Sequence, residues 1–274
     1  MAKSTGKLIS LILLPPLLGG LAGAVAIVYY LQQQPEDGPG FAGFWSRQQA
    51  TALIEAKLQA HDWSQMGMSG HLEHRLVIDP ALSIAESDYR LAIFSTTSED
   101  QRCQTCAPYL SVFAFEQVER HWILREQEIG VIRSGSWGVP PTPMHIHLLG
   151  DERYAVFLHP IETTDAWVNG FLHVYSRFDD TRADSEWRRI LDVVTLQQHP
   201  EVYGWESWYR PAATPDGQSF STLEITRTAF PATHTEALRL LDPIDPHHHV
   251  STPEGQVRSH DRFHFDGERY VRQD

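Results

Sequence analysis

One stretch near the start of the chain, residues 8–31, constrains the fold more than any other because none of its side chains is charged. At about 1.5 Å per residue, a helix of this length spans roughly 36 Å, enough to cross a hydrocarbon core of roughly 30 Å. Pro15 and Pro16 lie mid-stretch and predict a kink, whereas Tyr29 and Tyr30 lie at the far end, as is typical of a membrane–water boundary. We therefore predict a transmembrane signal anchor over residues 8–31.

The charges that flank this stretch predict its orientation. Lys3 and Lys7 precede it, and the segment directly after it carries no positive charge, so residues 1–7 are expected in the cytoplasm and the rest of the chain outside. An alternative is a signal peptide removed after the small residues 24–26, which would give a secreted protein. Cleavage there would leave the apolar segment 27–31 as a new terminus, so an uncleaved anchor is favoured.

The charge of the chain excludes one large class of partners. It has 35 acidic against 22 basic side chains and a formal net charge of −13. This balance disfavours binding to nucleic acid, whose phosphates would be repelled. Lys57 is the only lysine after the anchor and Asn169 is the only asparagine, a usage typical of a GC-rich bacterial genome. These observations predict a single-pass protein of the bacterial inner (cytoplasmic) membrane with its main domain in the periplasm.

Beyond the anchor, the sequence predicts a linker over residues 32–43 and an extracytoplasmic, β-rich domain over residues 44–274. Hydrophobic residues make up 42% of the chain, which is enough for a packed core. The Ser46-Arg47-Gln48-Gln49 sequence has the form of a capping box and begins a predicted helix over 46–61. The period then shifts to two, and residues 71–79 are a predicted strand with Leu72, Leu76 and Ile78 on one face. Residues 89–94 are a second predicted strand, which a polar loop over 95–101 is expected to end.

An internal echo with a period of about 65 residues supports a mainly β fold. Each pass contains aromatic and aliphatic residues in the same order, followed by two tryptophans. The first pass contains Tyr89, Phe94, Leu110, Val112, Trp122 and Trp137, and the second contains Tyr154, Phe157, Leu172, Val174, Trp187 and Trp205. A Gly-containing turn predicts a final hairpin over 262–272. We expect an antiparallel β-sandwich or an incomplete propeller-like domain.

The two cysteines, Cys103 and Cys106, form a Cys-x-x-Cys sequence for which we predict a structural disulfide. Ala107 stands where c-type haem attachment requires histidine, so that site is excluded. A thioredoxin-like redox pair and a zinc half-site remain alternatives, although a redox pair would be expected at a helix start and residues 111–115 resemble a strand.

Histidines offer one candidate metal site. His145 and His147 lie on one face of a predicted strand, and His159 is expected near them across a turn. The tract 247–249 is a loop that would scavenge metal without a defined site. No sequence motif of a known metalloenzyme accompanies these residues.

The sequence contains none of the common nucleophile, phosphate-binding or dinucleotide-binding motifs. We therefore expect a non-catalytic membrane protein without a cofactor, whose outer domain binds protein partners as an accessory subunit of a membrane complex. The first alternative is a membrane-tethered metal-binding protein or metalloenzyme that uses His145 and His147. The second is an extracytoplasmic thiol–disulfide protein that uses Cys103 and Cys106.

Overall fold

The computed structural model describes residues 38–84, 86–99, 103–149, 153–164, 167–178, 186–199, 203–212, 222–230, 249–251, 257–266 and 268–273. The predicted anchor, with Pro15, Pro16, Tyr29 and Tyr30, lies outside these residues. Among the described residues, no helix is both long and apolar enough to cross a membrane. Residues 40–274 form one compact unit, whose first strand falls within the stretch assigned to the linker.

The described part of the chain contains one α-helix, one 3₁₀ turn and sixteen strands, and the mainly β prediction is confirmed. Helix α1 spans Arg47–Ala60 and the 3₁₀ turn spans Trp63–Met66. The strands are β1 (Gly40–Ala42), β2 (Leu72–Ile78), β3 (Ala81–Ile84), β4 (Ser87–Ser98), β5 (Tyr109–Val118), β6 (His121–Arg133), β7 (Met144–Leu148), β8 (Tyr154–Leu158), β9 (Ile161–Thr163), β10 (Val168–Phe178), β11 (Glu186–His199), β12 (Tyr203–Pro211), β13 (Leu223–Ala229), β14 (His249–Ser251), β15 (Val257–Phe265) and β16 (Tyr270–Arg272).

The predicted helix over 46–61 is confirmed as α1. Ser46 is its N-cap, and the Ser46 Oγ accepts a hydrogen bond from the Gln49 backbone N–H at 3.4 Å. Ala50, Ile54 and Leu58 recur at the helical spacing and are buried. This face packs in a cluster with Phe94, Phe113 and Phe115 of β4 and β5, so α1 covers one side of the sheet that those strands form.

The described strands form two antiparallel sheets. The N-terminal sheet has the order β1-β6-β5-β4-β2, with β3 also paired to β4. The C-terminal sheet has the order β14-β15-β13-β12-β11-β10-β8-β7, with β16 paired to β15 and β9 paired to β10. A second core cluster contains Leu91, Ile93 and Val112 of the N-terminal sheet together with Val156 and Leu158 of the C-terminal sheet. The two sheets therefore pack against each other.

The C-terminal sheet curls into half a barrel. Tyr209 lies on β12 and Phe157 on β8, which are separated by two intervening strands in the sheet. Their rings nevertheless stack with centroids 5.2 Å apart, which requires the sheet to bend back on itself. The inside of the curl holds a third apolar cluster that includes Phe157, Leu172 and Ile225.

Strands β4 and β8 are buried on both faces along much of their length, and alternate residues enter different cores. In β8, Ala155 and Phe157 point into the curl, whereas Val156 points into the layer between the sheets. In β4, Phe94 packs against α1 and Ile93 against the C-terminal sheet. Since both faces need apolar side chains, these strands appear in the sequence as continuous apolar runs.

Two of the predicted strands differ in detail from the structure. A register shift between Leu76 and Ile78 sends Leu76 to the helix-covered core and Ile78 to the core between the sheets, although the alternation predicted one shared face. Strand β4 continues beyond Phe94 to Ser98, where a polar loop was expected. A hydroxyl group in this extension is hydrogen-bonded, because the Ser98 Oγ donates to the Ser69 carbonyl oxygen at 2.7 Å.

The final hairpin predicted over 262–272 is confirmed by the pairing of β15 with β16. Within it, the Asp266 carboxylate accepts a hydrogen bond from the backbone N–H of Arg269 at 2.9 Å.

Strand β15 also carries Asp261, which forms a buried ion pair with Arg227 of β13. Burial, followed by the nearby charge of Arg272, lowers the pKa of Arg227 to about 10.

Candidate functional site

A cleft of about 580 Å³ opens at one border of the layer between the two sheets, and Trp137 stands on its rim. We call it the Trp137 cleft. One wall comes from the loops that precede β5 and follow β6, and the other from β9, β10 and β11. The lining residues are Gln104, Thr105, Ala107, Arg133, Ser134, Gly135, Ser136, Trp137, Pro160, Ile161, Glu162, Thr163, Thr164, His173, Tyr175 and Arg189.

The disulfide loop braces this rim. Cys103 and Cys106 are joined by a disulfide in the loop between β4 and β5, at a strand start and not at a helix start. Their backbone carbonyl oxygens accept hydrogen bonds from the next loop: Cys103 from the Trp137 N–H at 3.0 Å, and Cys106 from the Gly138 N–H at 2.8 Å. The small covalent ring therefore holds the backbone of a turn more than 30 residues away in the chain.

The turn that carries Trp137 adopts an uncommon backbone conformation. Trp137 has a φ of 56°, and Gly135 and Gly138 have φ values of 116° and 71°. A bulky residue with positive φ is rare and costs about 1–3 kcal/mol, so surrounding contacts must hold it there. At Gly135, a Cβ atom would collide with the Val139 carbonyl oxygen, which explains why glycine is required.

The strained turn holds an apolar side chain in solvent. The Trp137 side chain is 58% exposed, and the neighbouring Val139 and Ile161 are 55% and 54% exposed. A further depression of about 210 Å³, lined by Glu73, Arg75 and other residues of the N-terminal sheet, lies on the other side of Trp137. Trp137 is therefore a ridge between two recesses.

Charged and aromatic side chains form the floor of the Trp137 cleft. His173 and Asp192 are paired across β10 and β11, with 3.3 Å between Nε2 and the carboxylate, and Arg189 approaches the other carboxylate oxygen at 3.1 Å. Burial lowers the pKa of His173, and the negative charge of Asp192 opposes this effect in part. Burial raises the pKa of Tyr175 beside them. At neutral pH the floor presents a neutral imidazole beside the ion pair of Arg189 with Asp192.

A single side chain spans the cleft near its end. The Gln104 Nε2 donates a hydrogen bond to the Thr163 backbone carbonyl oxygen at 2.9 Å. Gln104 belongs to the disulfide loop and Thr163 to β9, so this bond fixes the distance between the two walls.

The three histidines predicted as metal ligands lie near one another. The ring centroid of His145 is 6.2 Å from that of His147 and 6.2 Å from that of His159. His159 stacks on Tyr209 at 5.1 Å, and burial, followed by the charge of His145, lowers its pKa to about 4. In the described ranges, however, no group of three or more histidine, cysteine, aspartate or glutamate side chains is arranged to hold a metal ion. The side chains of the tract 247–249 lie outside the described residues.

A second exposed tryptophan, Trp208, lies far along the C-terminal sheet on its outer face. Its cross-strand neighbours are Thr226 on β13 and His260 on β15, and the next row holds Arg210, Glu224 and Arg262. A shallow recess of about 400 Å³ lies over these residues. We call this surface the Trp208 face.

Sequence reasoning identified Trp137 only as a member of the internal echo, and it did not single out Arg133, Ile161, Thr163 or His173. One local signal was available, because a tryptophan between two glycines predicts a turn with unusual φ angles. The remaining members of the cleft come from separate segments, and no spacing in the sequence connects them.

Comparison of the chain with models of protein families, with curated proteins and with solved structures gives no match. The residues and geometry of the cleft are therefore the basis for any functional assignment.

Proposed function

We propose that this protein is a non-catalytic, membrane-anchored binding protein whose extracytoplasmic β-domain captures a protein partner at the Trp137 cleft. The observation that carries the proposal is the display of Trp137, an exposed tryptophan held in a strained turn by a disulfide loop. Strain at a surface position is maintained when neighbouring contacts impose it, and such positions cluster at ligand-binding sites.

The composition of the cleft supports a protein partner. Tryptophan and arginine are the residues most enriched among those that dominate binding energy at protein interfaces. Here Trp137 and Ile161 provide apolar area, and Arg133 provides charge, at the border of a recess of about 580 Å³. His173 contacts a carboxylate through Nε2, an arrangement that fixes the ring as part of the floor.

The anchor and the finer fold are parts of the same proposal. We place residues 8–31 in the inner membrane as an uncleaved anchor, which keeps the domain close to a membrane complex.

The two passes of the internal echo coincide with two meanders, β4-β5-β6 and β8-β10-β11. Trp122 and Trp187 each lie at the second position of a strand. We infer that each meander is one copy of a repeated unit within a sandwich-like pair of sheets.

Purification of the full-length protein from its native membranes in mild detergent tests the proposal. A stoichiometric protein partner should co-purify with the wild type, and W137A should lose that partner while W208A retains it. A chain that migrates alone, or a partner retained equally by both variants, would argue against the proposal. Intact mass of the same sample tests the anchor, since the mature protein should begin at the initiator region and not at Ile27.

A further inference from the structure

We propose that the occupant of the Trp137 cleft is an extended, acidic segment of the partner polypeptide, which adds as a strand to the free edge of β9. This inference rests on the proposed function and deepens it by naming the binding mode and the chemistry of the partner. Within the described sheets, β9 pairs with β10 alone.

The alternation of backbone hydrogen bonds shows which groups of β9 face the cleft. The Pro160 carbonyl oxygen accepts from the Phe171 N–H at 3.0 Å, and the Thr164 N–H donates to the Trp167 carbonyl oxygen at 2.8 Å. Even-numbered residues in this stretch therefore turn their backbone groups towards β10. In a strand the next residue points the opposite way, so the N–H and C=O groups of Ile161 and Thr163 point away from β10.

Gln104 marks a position on this edge at which a donor binds. Its side-chain amide donates to the Thr163 carbonyl oxygen in the position that the backbone N–H of an added strand would occupy. The neighbouring residues 160–164 all line the cleft, so within the described residues an added strand would have to displace the Gln104 side chain from this edge. Exposed strand edges of this kind bind extended segments through backbone hydrogen bonds, and nearby pockets then select the side chains.

The charges of the cleft define the side chains that it selects. Arg133, Arg189 and Glu162 line it, and Asp192 pairs with Arg189 on the floor. Because Asp192 already balances the charge of Arg189, Arg133 is the cation offered to a ligand, and its guanidinium lies 5.3 Å above the Tyr109 ring. A cation that is already ordered loses little entropy on binding and favours an acidic side chain. The exposed Trp137 and Ile161 favour apolar side chains at the alternate positions.

Two other occupants satisfy fewer of these groups. A helix saturates its own backbone hydrogen bonds and would leave Ile161 and Thr163 unpaired. A lipid surface is broad and cannot reach residues on the floor of a recess. An extended peptide pairs with the edge, reaches Arg133 and covers Trp137 at once.

A displayed library of random dodecapeptides, panned against the full-length protein in detergent micelles, provides the probe. We expect enriched peptides that alternate β-branched or aromatic residues with other residues and carry at least one aspartate or glutamate. Enrichment no greater than on empty micelles, or enrichment of basic or strongly helical peptides, would overturn the inference.

Hydrogen exchange with an enriched peptide then locates the binding. The amides of Ile161 and Thr163 should exchange about fivefold or more slowly with peptide bound, whereas that of Glu162 should change little because it already faces β10. Bound peptide with unchanged exchange at Ile161 and Thr163 would refute strand addition.

Variants complete the test. I161P removes one N–H of the free edge and leaves the groups that face β10, so it should weaken peptide binding about tenfold or more. T163P removes the other N–H and covers the case in which I161P fails to fold. R133Q should weaken acidic peptides about tenfold, and R120Q, at an exposed hairpin turn, should leave binding within about twofold. Retained binding in R133Q and in both folded proline variants would contradict the inference.

The outcome is separable from that of the proposed function. If a native partner co-purifies and depends on Trp137 while the edge amides remain unprotected, then the binding function stands and strand addition fails. If peptides protect the edge but no native partner is found, then the edge binds peptides and the accessory-subunit proposal fails.

Discussion

Trp137 and Trp208 are exposed to nearly the same extent, 58% and 53%, yet their surroundings differ in kind. Trp208 lies in the regular strand β12, where ordinary strand geometry directs alternate side chains to solvent. Trp137 lies in a turn with positive φ, which a disulfide loop holds through two backbone hydrogen bonds. Trp208 is therefore exposed because of its position in a regular strand, whereas Trp137 is exposed because hydrogen bonds from the disulfide loop hold its turn.

The polar groups beside the two tryptophans show the same contrast. At the Trp208 face, the Glu224 carboxylate accepts from Arg210 at 2.7 Å and from Arg262 at 2.9 Å, so these charges satisfy one another. At the Trp137 cleft, backbone groups of β9 face a recess. Charged side chains are paired at both surfaces, since Asp192 pairs with Arg189 and His173 in the cleft, so the outward N–H groups of Ile161 and Thr163 are what the proposed partner would use.

The largest expected effect concerns the two tryptophans themselves. W137A should weaken partner binding by about 2 kcal/mol or more, roughly 30-fold, because it removes the central apolar anchor of the surface. W208A should change binding by less than about twofold, as is usual for substitutions away from an interface. Titration of the isolated partner against both purified variants measures the difference. Equal losses would remove the distinction between the two surfaces.

A change at Glu224 should affect stability and not binding. Hydrogen bonds from Arg210 and Arg262, with their charges, lower the pKa of Glu224, so its contribution is present above the ordinary pKa and is lost as pH falls below it. E224Q should destabilise the domain by about 1 kcal/mol because both charge-assisted bonds weaken. E268Q makes the same change in charge at an exposed hairpin and should have little effect. Urea unfolding of the three proteins measures this, and a loss of partner binding in E224Q would show that the Trp208 face is also functional.

The same contrast explains what the sequence could predict. Helix α1 was predicted with its cap because Ser46 and Gln49 interact locally, and part of β4 was predicted at residues 89–94 from its local run of apolar and aromatic residues. The Trp137 cleft brings together residues 103–107, 133–137, 160–164 and 189, whose contacts depend on how two sheets pack. Such non-local pairings leave no periodic pattern, and even the bulge that separates Leu76 from Ile78 in β2 has no local signal. The Trp208 face, built from regular alternation, is closer to what a pattern predicts.

The disulfide provides a smaller test of the brace. The double variant C103S/C106S removes the disulfide. Because the disulfide ring contains so few residues, it restricts the unfolded chain little, and the stability of the fold should hardly change. Partner affinity should nevertheless fall about fivefold. Without the disulfide, the turn at Trp137 is expected to relax in the free protein, and returning it to positive φ on binding then costs about 1 kcal/mol. R120Q changes an exposed hairpin turn outside the cleft and should bind normally. Undiminished affinity in the double variant would mean that the hydrogen bonds alone hold the turn.

The smallest expected effect is a pH dependence that separates the floor of the cleft from the Trp208 face. Burial lowers the pKa of His173 below its ordinary value, so the unfolded chain binds a proton more readily than the folded one in the range between them. Stability contributed by the neutral ring is therefore complete at neutral pH and declines as pH falls below the ordinary histidine pKa. Between about pH 7 and about pH 5, the Tm of the wild type should fall by roughly 2–4 °C more than the Tm of H173Q. The amide of H173Q does not titrate, but it keeps a hydrogen-bond donor for Asp192. H260Q, the matched change at the Trp208 face, should follow the wild type. If the Tm values of H173Q and the wild type decline in parallel, then the assignment of His173 to a desolvated floor is wrong.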